Sequence, residues 1–513
     1  MADPFPTLFV EAVTHSEKEE SKLRTLHGKD KFARWFSVNV EKEGPQLWLY
    51  DRFIRLCDPS RTGNRDTENH YPTFVSFIGN TSAGKSTIVR AMLLLGLLDP
   101  PTNTQNLDLV KQAKEGERHM PVPRSGNPDH RTDPTTFGVH LYPDDPPKVG
   151  SRRNGEIPSS PKATTNEAAQ YPLLFADCEG FGAGTATTNA MRFNEGAQQN
   201  DEVEGEGEGE GEGEGAQEGI VKLPIEAACY NNGNRTGIDL FYAKVLYAIS
   251  DVVVFVTKSD QTIKVDLMRV LEWASTAVRK SYNQPSRKTL IIVRNMDRES
   301  ALCGSYSSEA LEKSYLRNFG DQKLWEDSEI LKTFVEEHNT LVRQELVIDD
   351  NDKLYNALFQ KIKCCYIPDT GIDVTPERAQ AVYDHCKALR EQIKNAADEE
   401  QRLRSKEFAQ YNVPTLNHIL VQIFEHFRTS EDPLNFYLAA RRDNPTPREN
   451  SQHVASFLRL ALEHANGNSS GIEDMIVDAI SIMFLIYVQR NCRTRKPIFQ
   501  SSFSYKSNMK RIS

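Results

Sequence analysis

The residues with the clearest chemistry form a phosphate-binding loop. Between Gly79 and Ser86 the chain reads GNTSAGKS, which fits the pattern G-x-x-x-x-G-K-[ST]. Glycines let such a loop curl so that its N–H groups point at phosphate oxygens, and the N-terminus of the following helix adds positive charge. Lys85 is expected to neutralise the β- and γ-phosphates, and the Ser86 hydroxyl to bind Mg²⁺. The predicted nucleotide contacts here are Gly79, Asn80, Thr81, Ser82, Ala83, Gly84, Lys85, Ser86 and Thr87.

Two further segments carry groups that could bind the same ion. D-x-x-G occupies Asp177–Gly180 after an apolar run, where the carboxylate could hold Mg²⁺ through water and the Gly180 N–H could meet the γ-phosphate. An ordinary strand-end turn is the alternative. Thr136, in T-x-G, offers a hydroxyl that could cap Mg²⁺ and the γ-phosphate only in the triphosphate state. Thr135 is an equally available hydroxyl, and both threonines could merely cap a strand. We therefore predict a metal site made by Ser86, Thr136 and Asp177.

Two segments compete as readers of the nucleotide base. Thr257–Asp260 (TKSD) matches [NT]-K-x-D, but it ends the first strand after D-x-x-G. In this kind of sheet the reader ends the next strand, which favours Arg294-Asn295-Met296-Asp297. An aspartate there can accept hydrogen bonds from both guanine N1–H and N2–H, a donor pair that adenine lacks. We predict base contacts from Arg294, Asn295 and Asp297.

The elements that must position these residues alternate between strands and helices. An apolar, β-branched run at 73–78 predicts a buried strand before the loop, and residues 85–98 have helical apolar spacing. The alternation continues along the chain and predicts an α/β fold with a doubly wound, mostly parallel sheet. Further strands are predicted at 139–142, 171–176, 251–257, 289–293 and 361–367, and helices at 238–249, 263–280 and 306–348.

The rest of the chain divides by composition. We expect residues 1–20 to be frayed and helices over 21–36 and 46–57, so that 1–69 form a helical lead-in to a P-loop domain at 70–375. Residues 184–235 contain six Glu-Gly repeats from Glu204 to Gly215, which cannot bury apolar area, and we expect disorder there. A helical region follows at 376–490, and a basic tail at 491–513. Its helices are predicted at 376–411, 414–428, 451–465 and 471–490.

The charge balance does not point to a nucleic-acid partner. The chain has a formal net charge of −10, but residues 201–219 alone hold nine acidic side chains and no basic one, which leaves −1 for the remainder. Eight scattered cysteines without a C-x-x-C pair suit a reducing compartment, and we expect a cytoplasmic protein. The N-terminus lacks the features of a secretory signal. The longest apolar stretch, Met475–Val488, falls short of the ~20 residues that span a bilayer, and membrane contact stays unproven.

Taken together, the motifs resemble those of the dynamin-like large GTPases, including the guanylate-binding-protein and atlastin branch. GNTSAGKS resembles the dynamin pattern G-x-x-S-A-G-K-S, DCEGFG at 177–182 resembles the D-T-E-G of guanylate-binding proteins, and VRN at 293–295 resembles the V-R-D reader of atlastins. The resemblance covers about residues 70–370. Thr81 stands where dynamins carry Gln. In the atlastin register Asn295 replaces the key Asp, whereas in the N-K-x-D register Asp297 supplies it.

The resemblance implies Mg²⁺-dependent GTP hydrolysis and pairing of two G domains across the nucleotide face. Lys85, Ser82 and Thr136 would then be the catalytic residues, with Ser82 assisting charge compensation. An arginine acting in cis could come from Arg124 or Arg131, although the sequence favours solvated loop charges at both positions. Two rival functions stay open: an ATP-using P-loop NTPase, and a nucleotide-binding scaffold without turnover, which Thr81 and the long inserts favour.

Overall fold

The fold is seen in a computed structural model that describes most of the predicted P-loop domain and parts of its flanks. All structural statements below concern the described residues. These are 5–41, 44–57, 71–98, 110, 120–122, 124–125, 136, 138–144, 173–180, 220–229, 235–258, 263–282, 286–297, 312–313, 316–317, 319, 322–342, 344–369, 374–406, 410–436 and 439.

Helices and strands alternate through the described part of the chain. The helices are α1 (Phe5–Thr14), α2 (Glu20–Asp30), α3 (Arg52–Cys57), α4 (Lys85–Leu97), α5 (Arg235–Ile249), α6 (Ile263–Arg279), α7 (Glu329–Leu341), α8 (Asn351–Leu358), α9 (Pro376–Lys406) and α10 (Val413–Thr429). The strands are β1 (Ser16–Glu17), β2 (Arg34–Glu41), β3 (Gly44–Tyr50), β4 (Thr73–Gly79), β5 (Arg124–Ser125), β6 (Val139–Pro143), β7 (Leu173–Cys178), β8 (Ile220–Pro224), β9 (Val252–Lys258), β10 (Ser281–Tyr282), β11 (Lys288–Asp297), β12 (Phe359–Pro368) and β13 (Leu434–Asn435).

A nine-stranded mixed sheet is the centre of the molecule. Its strand order is β12-β11-β9-β4-β7-β6-β2-β3-β8. The strands from β12 to β7 run parallel to one another, whereas β6, β2, β3 and β8 join in antiparallel pairings. The predicted α/β class is confirmed, and the parallel half of the sheet holds the strands that precede the predicted motifs.

Helices cover both faces of this sheet. In β9, Val253 and Phe255 pack into one apolar cluster, while Val252, Val254 and Val256 pack into another on the opposite face. The first cluster includes apolar residues of α5, α6, α7 and α10, and the second includes those of α1, α4 and α9. Burial on both faces explains why these strands read as continuous apolar runs rather than as alternating patterns.

The N-terminal predictions are partly wrong. Residues 5–14 are not frayed but form α1, in which Phe9 and Val10 are buried. The predicted helix over 21–36 ends at Asp30, and Trp35 and Phe36 lie in β2. The predicted helix over 46–57 is also wrong in its first half, because 46–50 belong to β3 and only Arg52–Cys57 is helical. The β2–β3 hairpin is held in the sheet by its partners β6 and β8, an interaction that local spacing does not reveal.

The segment predicted to be disordered also contains ordered structure at its C-terminal end. Ile220–Pro224 form β8, which pairs with β3 at the edge of the sheet. The Glu-Gly repeats themselves lie outside the described residues, as do the predicted helices at 451–465 and 471–490 and the basic tail. No described helix is long and apolar enough to cross a membrane.

Helix α9 makes buried polar contacts with α4 and with residues at the ends of two strands of the sheet. Arg390 forms a bidentate ion pair with Asp144, with 2.9 Å between Nη2 and Oδ2, and donates to the Met92 carbonyl at 3.0 Å. Arg404 lies 2.6 Å from Asp251, which precedes β9. Burial makes these pairs sensitive to the loss of either partner, because an unpaired charge would be left out of water.

We predict that Arg390→Met destabilises the fold by about 3–5 kcal/mol, because Asp144 would lose its buried cation. The matched control is Lys361→Met, which removes another ion pair between α9 and the sheet, Lys361–Glu399, whose side chains are 48% and 42% exposed. That control should cost about 0–1 kcal/mol. Urea unfolding measures the free energy of unfolding of both variants. Equal losses would contradict the assignment of the Arg390–Asp144 pair as the main polar contact that holds α9 in place.

Candidate functional site

The phosphate-binding loop lies at the carboxyl end of β4 and leads into α4. Gly79 has φ +140° and would place any Cβ against the Val256 carbonyl, and Gly84 has φ +89° as the N-cap of α4. Both glycines are therefore needed for the turn. Among the described residues Ser82 is the only non-glycine with positive φ, at +63°. Such strain is typical of loops that the surrounding structure holds in one shape.

Lys85 is buried at the start of α4 and points back over the loop. Its Nζ donates to the Gly79 carbonyl at 3.2 Å and to the Asn80 carbonyl at 3.0 Å, and the residue is only 6% exposed. The ammonium group therefore contacts the backbone of the same turn whose N–H groups could face an anion. The predicted role of Lys85, neutralisation of phosphate charge, requires its ammonium group to lie at the loop, and the group does lie there.

Three predicted metal-binding residues from three separate segments meet in one contact. Ser86 Oγ donates to Asp177 Oδ2 at 2.7 Å, Thr136 Oγ1 donates to the same oxygen at 3.2 Å, and the two hydroxyl oxygens are 3.0 Å apart. Asp177 lies next to the end of β7 and is fully buried. The alternative interpretation of D-x-x-G as an ordinary turn does not require such a meeting.

The electrostatics of Asp177 favour a cation beside it. Burial raises the pKa of the Asp177 carboxyl above its ordinary value, while the Ser86 hydrogen bond and the charge of Lys85 oppose that rise. Its Oδ1 atom is buried and has no hydrogen-bond partner among the described residues. A buried carboxylate with one unused oxygen costs free energy, which a divalent cation or its water would recover.

The donor set fits Mg²⁺ rather than a softer metal. Two hydroxyls and a carboxylate are hard oxygen ligands, and Mg²⁺ is commonly held by one or two protein oxygens together with waters and substrate phosphates. Within the described ranges, no group of three or more His, Cys, Asp or Glu side chains is placed to hold a metal. Ser86, Thr136 and Asp177 would fill only part of a Mg²⁺ coordination shell, with phosphate oxygens and water supplying the rest.

The D-x-x-G segment also contacts the loop and the T-x-G segment directly. A Cβ built on Gly180 would lie 2.5 Å from Thr81 Cα, so the two backbones are in close contact. Glu179 donates its N–H to the Gly138 carbonyl at 2.8 Å and accepts from the Gly138 N–H at 3.1 Å through Oε2. The sequence analysis did not assign a role to Glu179. Its position inside D-x-x-G, directly before Gly180, was the signal that could have indicated one.

The two candidate base readers end neighbouring strands at the same edge of the sheet. Lys258 pairs in register with Asn295 across β9 and β11. Asn295 is buried and its Nδ2 donates to the Ala83 carbonyl at 2.8 Å, so this side chain holds the phosphate loop. Thr257 donates to Asp266, and Lys258 is exposed. Asp297 closes β11 beside Pro368, and its side chain lies outside what the structure describes.

Helix α6 supplies two loop contacts that the sequence did not predict. Asp266 accepts from Asn80 Nδ2 at 3.3 Å, and Arg269 donates to Asn80 Oδ1. The carboxylate thus joins Asn80 of the loop to Thr257 of the TKSD segment. The spacing of Asp266 and Arg269, three residues apart on one helix, gave no indication of this contact because it depends on how α6 packs.

The other predicted site residues lie around the loop or outside the residues that the structure describes. Ser82 is exposed on the loop, and Thr87 is partly buried in the first turn of α4. Arg294 is partly buried in β11. Arg124 lies in β5, which pairs with β1, whereas Arg131 and Thr135 fall outside the described residues. Among the described residues, the site therefore brings together the predicted phosphate and metal residues.

No protein-family model matches the chain, and no curated protein matches it in sequence. The proposal for the function therefore rests on the geometry of the site and on the short motifs.

We predict that Gly180→Ala destabilises the protein by about 1–3 kcal/mol, because the added methyl would overlap the Thr81 backbone. Gly28→Ala is the matched control. Gly28 lies within α2 with no heavy atom within 4 Å of a built Cβ, so this change should stabilise by about 0.5–1 kcal/mol. Thermal and urea unfolding of the two variants should move in opposite directions. A neutral Gly180→Ala would contradict the close packing of D-x-x-G on the loop.

Proposed function

We propose that this chain binds GTP with Mg²⁺ at the carboxyl edge of its parallel strands and hydrolyses the γ-phosphate, in the manner of dynamin-like large GTPases. The observation that carries the proposal is the meeting of Ser86, Thr136 and Asp177. These residues come from a loop, a T-x-G segment and a D-x-x-G segment that are far apart in sequence. A shared ligand gives a physical reason for all three to converge on one buried carboxylate.

Phosphate binding would use the loop and the start of α4. The loop N–H groups and the helix dipole favour an anion at this point, and Lys85 adds a full positive charge. Ser86 and Thr136 would hold Mg²⁺ through their hydroxyl oxygens, and Asp177 would hold it through water. When bound, the ion neutralises charge on the β- and γ-phosphates.

Guanine selection would fall to Asp297. Asn295 already donates to the Ala83 carbonyl, so its amide is engaged in supporting the loop. Of the two registers that the sequence left open, this contact favours the one in which Asp297 supplies the acceptor pair for guanine. The neighbouring TKSD segment is a weaker candidate because Thr257 is bound to Asp266.

Hydrolysis requires an in-line water and compensation of the charge that develops on the leaving phosphate. Lys85 would supply that compensation, and Ser82 and Thr136 are the hydroxyls that the motifs assign to the γ-phosphate. Thr81, where dynamins carry Gln, packs against Gly180. That packing favours a second candidate function, a nucleotide-binding scaffold that does not turn over, and phosphate release at saturating GTP separates the two.

The wider setting follows from the same proposal. We propose a cytoplasmic GTPase-like domain that pairs with a second copy across the nucleotide face. The scattered cysteines, without a C-x-x-C pair, are in keeping with a reducing compartment. Helices α9 and α10 contribute to the two apolar clusters on either side of the sheet, so this part of the proposed helical region supports the domain directly.

We predict that Lys85→Ala weakens binding of a fluorescent GTP analogue by about 100-fold, because a charged hydrogen bond to phosphate contributes about 3 kcal/mol. Lys264→Ala is the control, since Lys264 lies on α6, pairs with Asp327 and is partly exposed. It should bind like wild type.

Titrations with GTP and ATP analogues in Mg²⁺ show which base the site prefers. Tighter ATP binding would replace the GTPase proposal with an ATP-using P-loop NTPase, and no binding of either would contradict it.

A further inference from the structure

The sequence singled out the TKSD segment at the end of β9, which the proposed site does not use. Its first residue, Thr257, is fully buried, and its hydroxyl donates to Asp266 Oδ2 on α6. The other oxygen of that carboxylate, Oδ1, accepts from Asn80 Nδ2 at 3.3 Å. Asp266 therefore connects the end of β9 to the second residue of the phosphate loop.

Arg269 holds the opposite end of the Asn80 amide. It lies three residues after Asp266 on α6, and its Nη1 donates to Asn80 Oδ1. A guanidinium group only donates hydrogen bonds and a carboxylate only accepts them, so the amide fits in one orientation, with Oδ1 towards the arginine and Nδ2 towards the aspartate. Rotation of the Asn80 side chain would break a charge-assisted hydrogen bond at each end.

The backbone carbonyl of Asn80 holds the lysine that is proposed to bind phosphate. It accepts from Lys85 Nζ at 3.0 Å and from the Ala83 N–H at 3.2 Å. Because the side chain and the carbonyl belong to one residue, anchoring the amide on α6 restricts the direction of the carbonyl. A chain of contacts therefore runs from Thr257 through Asp266 and Asn80 to the ammonium group of Lys85.

The second acceptor of Lys85 is also held by β9. Lys85 Nζ donates to the Gly79 carbonyl at 3.2 Å, and Gly79 packs so closely on the Val256 backbone that a Cβ would overlap it. A lysine side chain is a flexible stem that carries a compact charge, so its position depends on the groups that accept from it. Charge that is fixed before a ligand arrives stabilises that ligand most, because no reorganisation is needed on binding.

We propose that Asp266 and Arg269 are positioning residues for Lys85: they clamp the Asn80 amide, which fixes the carbonyl that holds the ammonium group. Thr257 of the TKSD segment supports this clamp by orienting Asp266. The inference rests on the proposed function, because it assigns the groups that position the phosphate-binding lysine of the same site. Breaking the clamp should therefore weaken nucleotide binding only when Lys85 is present.

Two changes at the loop test the clamp without altering the net charge. Asn80→Leu removes both side-chain contacts. The double variant Asn80→Asp with Asp266→Asn exchanges the carboxylate and the amide, so that each can still bind the other and the new carboxylate can still accept from Arg269. The matched control is Asn339→Leu on α7, because the Asn339 amide is also bonded at both ends, to the Ile348 carbonyl at 3.1 Å and the Ile348 N–H at 2.8 Å. Circular dichroism and urea unfolding establish that each variant is folded.

The readout is the dissociation constant of a fluorescent GTP analogue in Mg²⁺, measured with Lys85 present and in the Lys85→Ala background. With Lys85 present, Asn80→Leu should weaken binding by about 10-fold, the effect of one hydrogen bond to a charged group. In the Lys85→Ala background the same change should cost less than about 2-fold, because residues that act through one group are not additive. The exchange variant should recover most of the loss, and Asn339→Leu should match wild type.

The outcomes are distinct. Wild-type affinity in Asn80→Leu overturns the inference, and so does an equal loss in both backgrounds, since the side chain would then act independently of Lys85. An exchange variant as weak as Asn80→Leu also overturns it, because restored hydrogen bonds would not have restored binding.

A second variant covers the case in which Asn80→Leu is unfolded. Thr257→Val removes only the hydroxyl that orients Asp266 and should weaken binding by about 3-fold, roughly the effect of a weak hydrogen bond. Unchanged binding in Thr257→Val then overturns the inference. If the wild-type chain binds neither GTP nor ATP analogues, the proposed function itself fails. If Lys85→Ala loses binding while the clamp variants do not, only the role of the clamp fails.

Discussion

The structure depends on one buried carboxylate. Asp177 is completely enclosed, accepts from Ser86 and Thr136, and leaves its second oxygen unused. A charge in that position is unfavourable unless a cation or a strong donor faces it. The fold nevertheless brings Ser86, Thr136 and Asp177 together and keeps Lys85 close enough to stabilise the carboxylate. This arrangement is understandable as a site prepared for a cation and its phosphate ligand.

The sheet makes that meeting possible. Strands β4 and β7 are parallel neighbours, so the loop after one and the D-x-x-G segment at the end of the other lie at the same edge. This is where ligands bind in open α/β sheets. Gly79 and Gly180 permit close backbone contacts, and Glu179 ties the T-x-G segment to D-x-x-G through Gly138. Helices pack on both faces of the sheet and cover the strands that carry these segments.

The local sequence predicted the strand and the helix on either side of the GNTSAGKS motif, because their signals are contiguous. A strand, a glycine-rich loop and a helix follow one another between 73 and 97, and each is confirmed. The helices predicted over 21–36 and 46–57 extend into the β2–β3 hairpin, although Phe36-Ser37-Val38-Asn39-Val40 alternates with a period of two, which is the spacing of a strand. Its strand partners, β6 and β8, are remote in sequence.

Other contacts depended on packing that no local pattern encodes. Asp30 comes from α2, and His140 and Tyr142 from β6, so their cluster exists only once the sheet has formed. Asp266 and Arg269 reach Asn80 only because α6 packs beside the loop. In the same way, Asn295 was predicted at the correct edge, but its bond to Ala83 could not be read from the motif.

The most direct test of the central claim is hydrogen–deuterium exchange of the full chain with a non-hydrolysable GTP analogue and Mg²⁺, compared with the chain alone. One ligand shared by the three segments should slow exchange together in peptides covering 79–87, 136–144 and 173–180. Protection of all three that is lost on adding EDTA is the result we predict. Unchanged exchange in these peptides, or protection confined to other parts of the chain, would contradict a Mg²⁺–nucleotide site at Asp177.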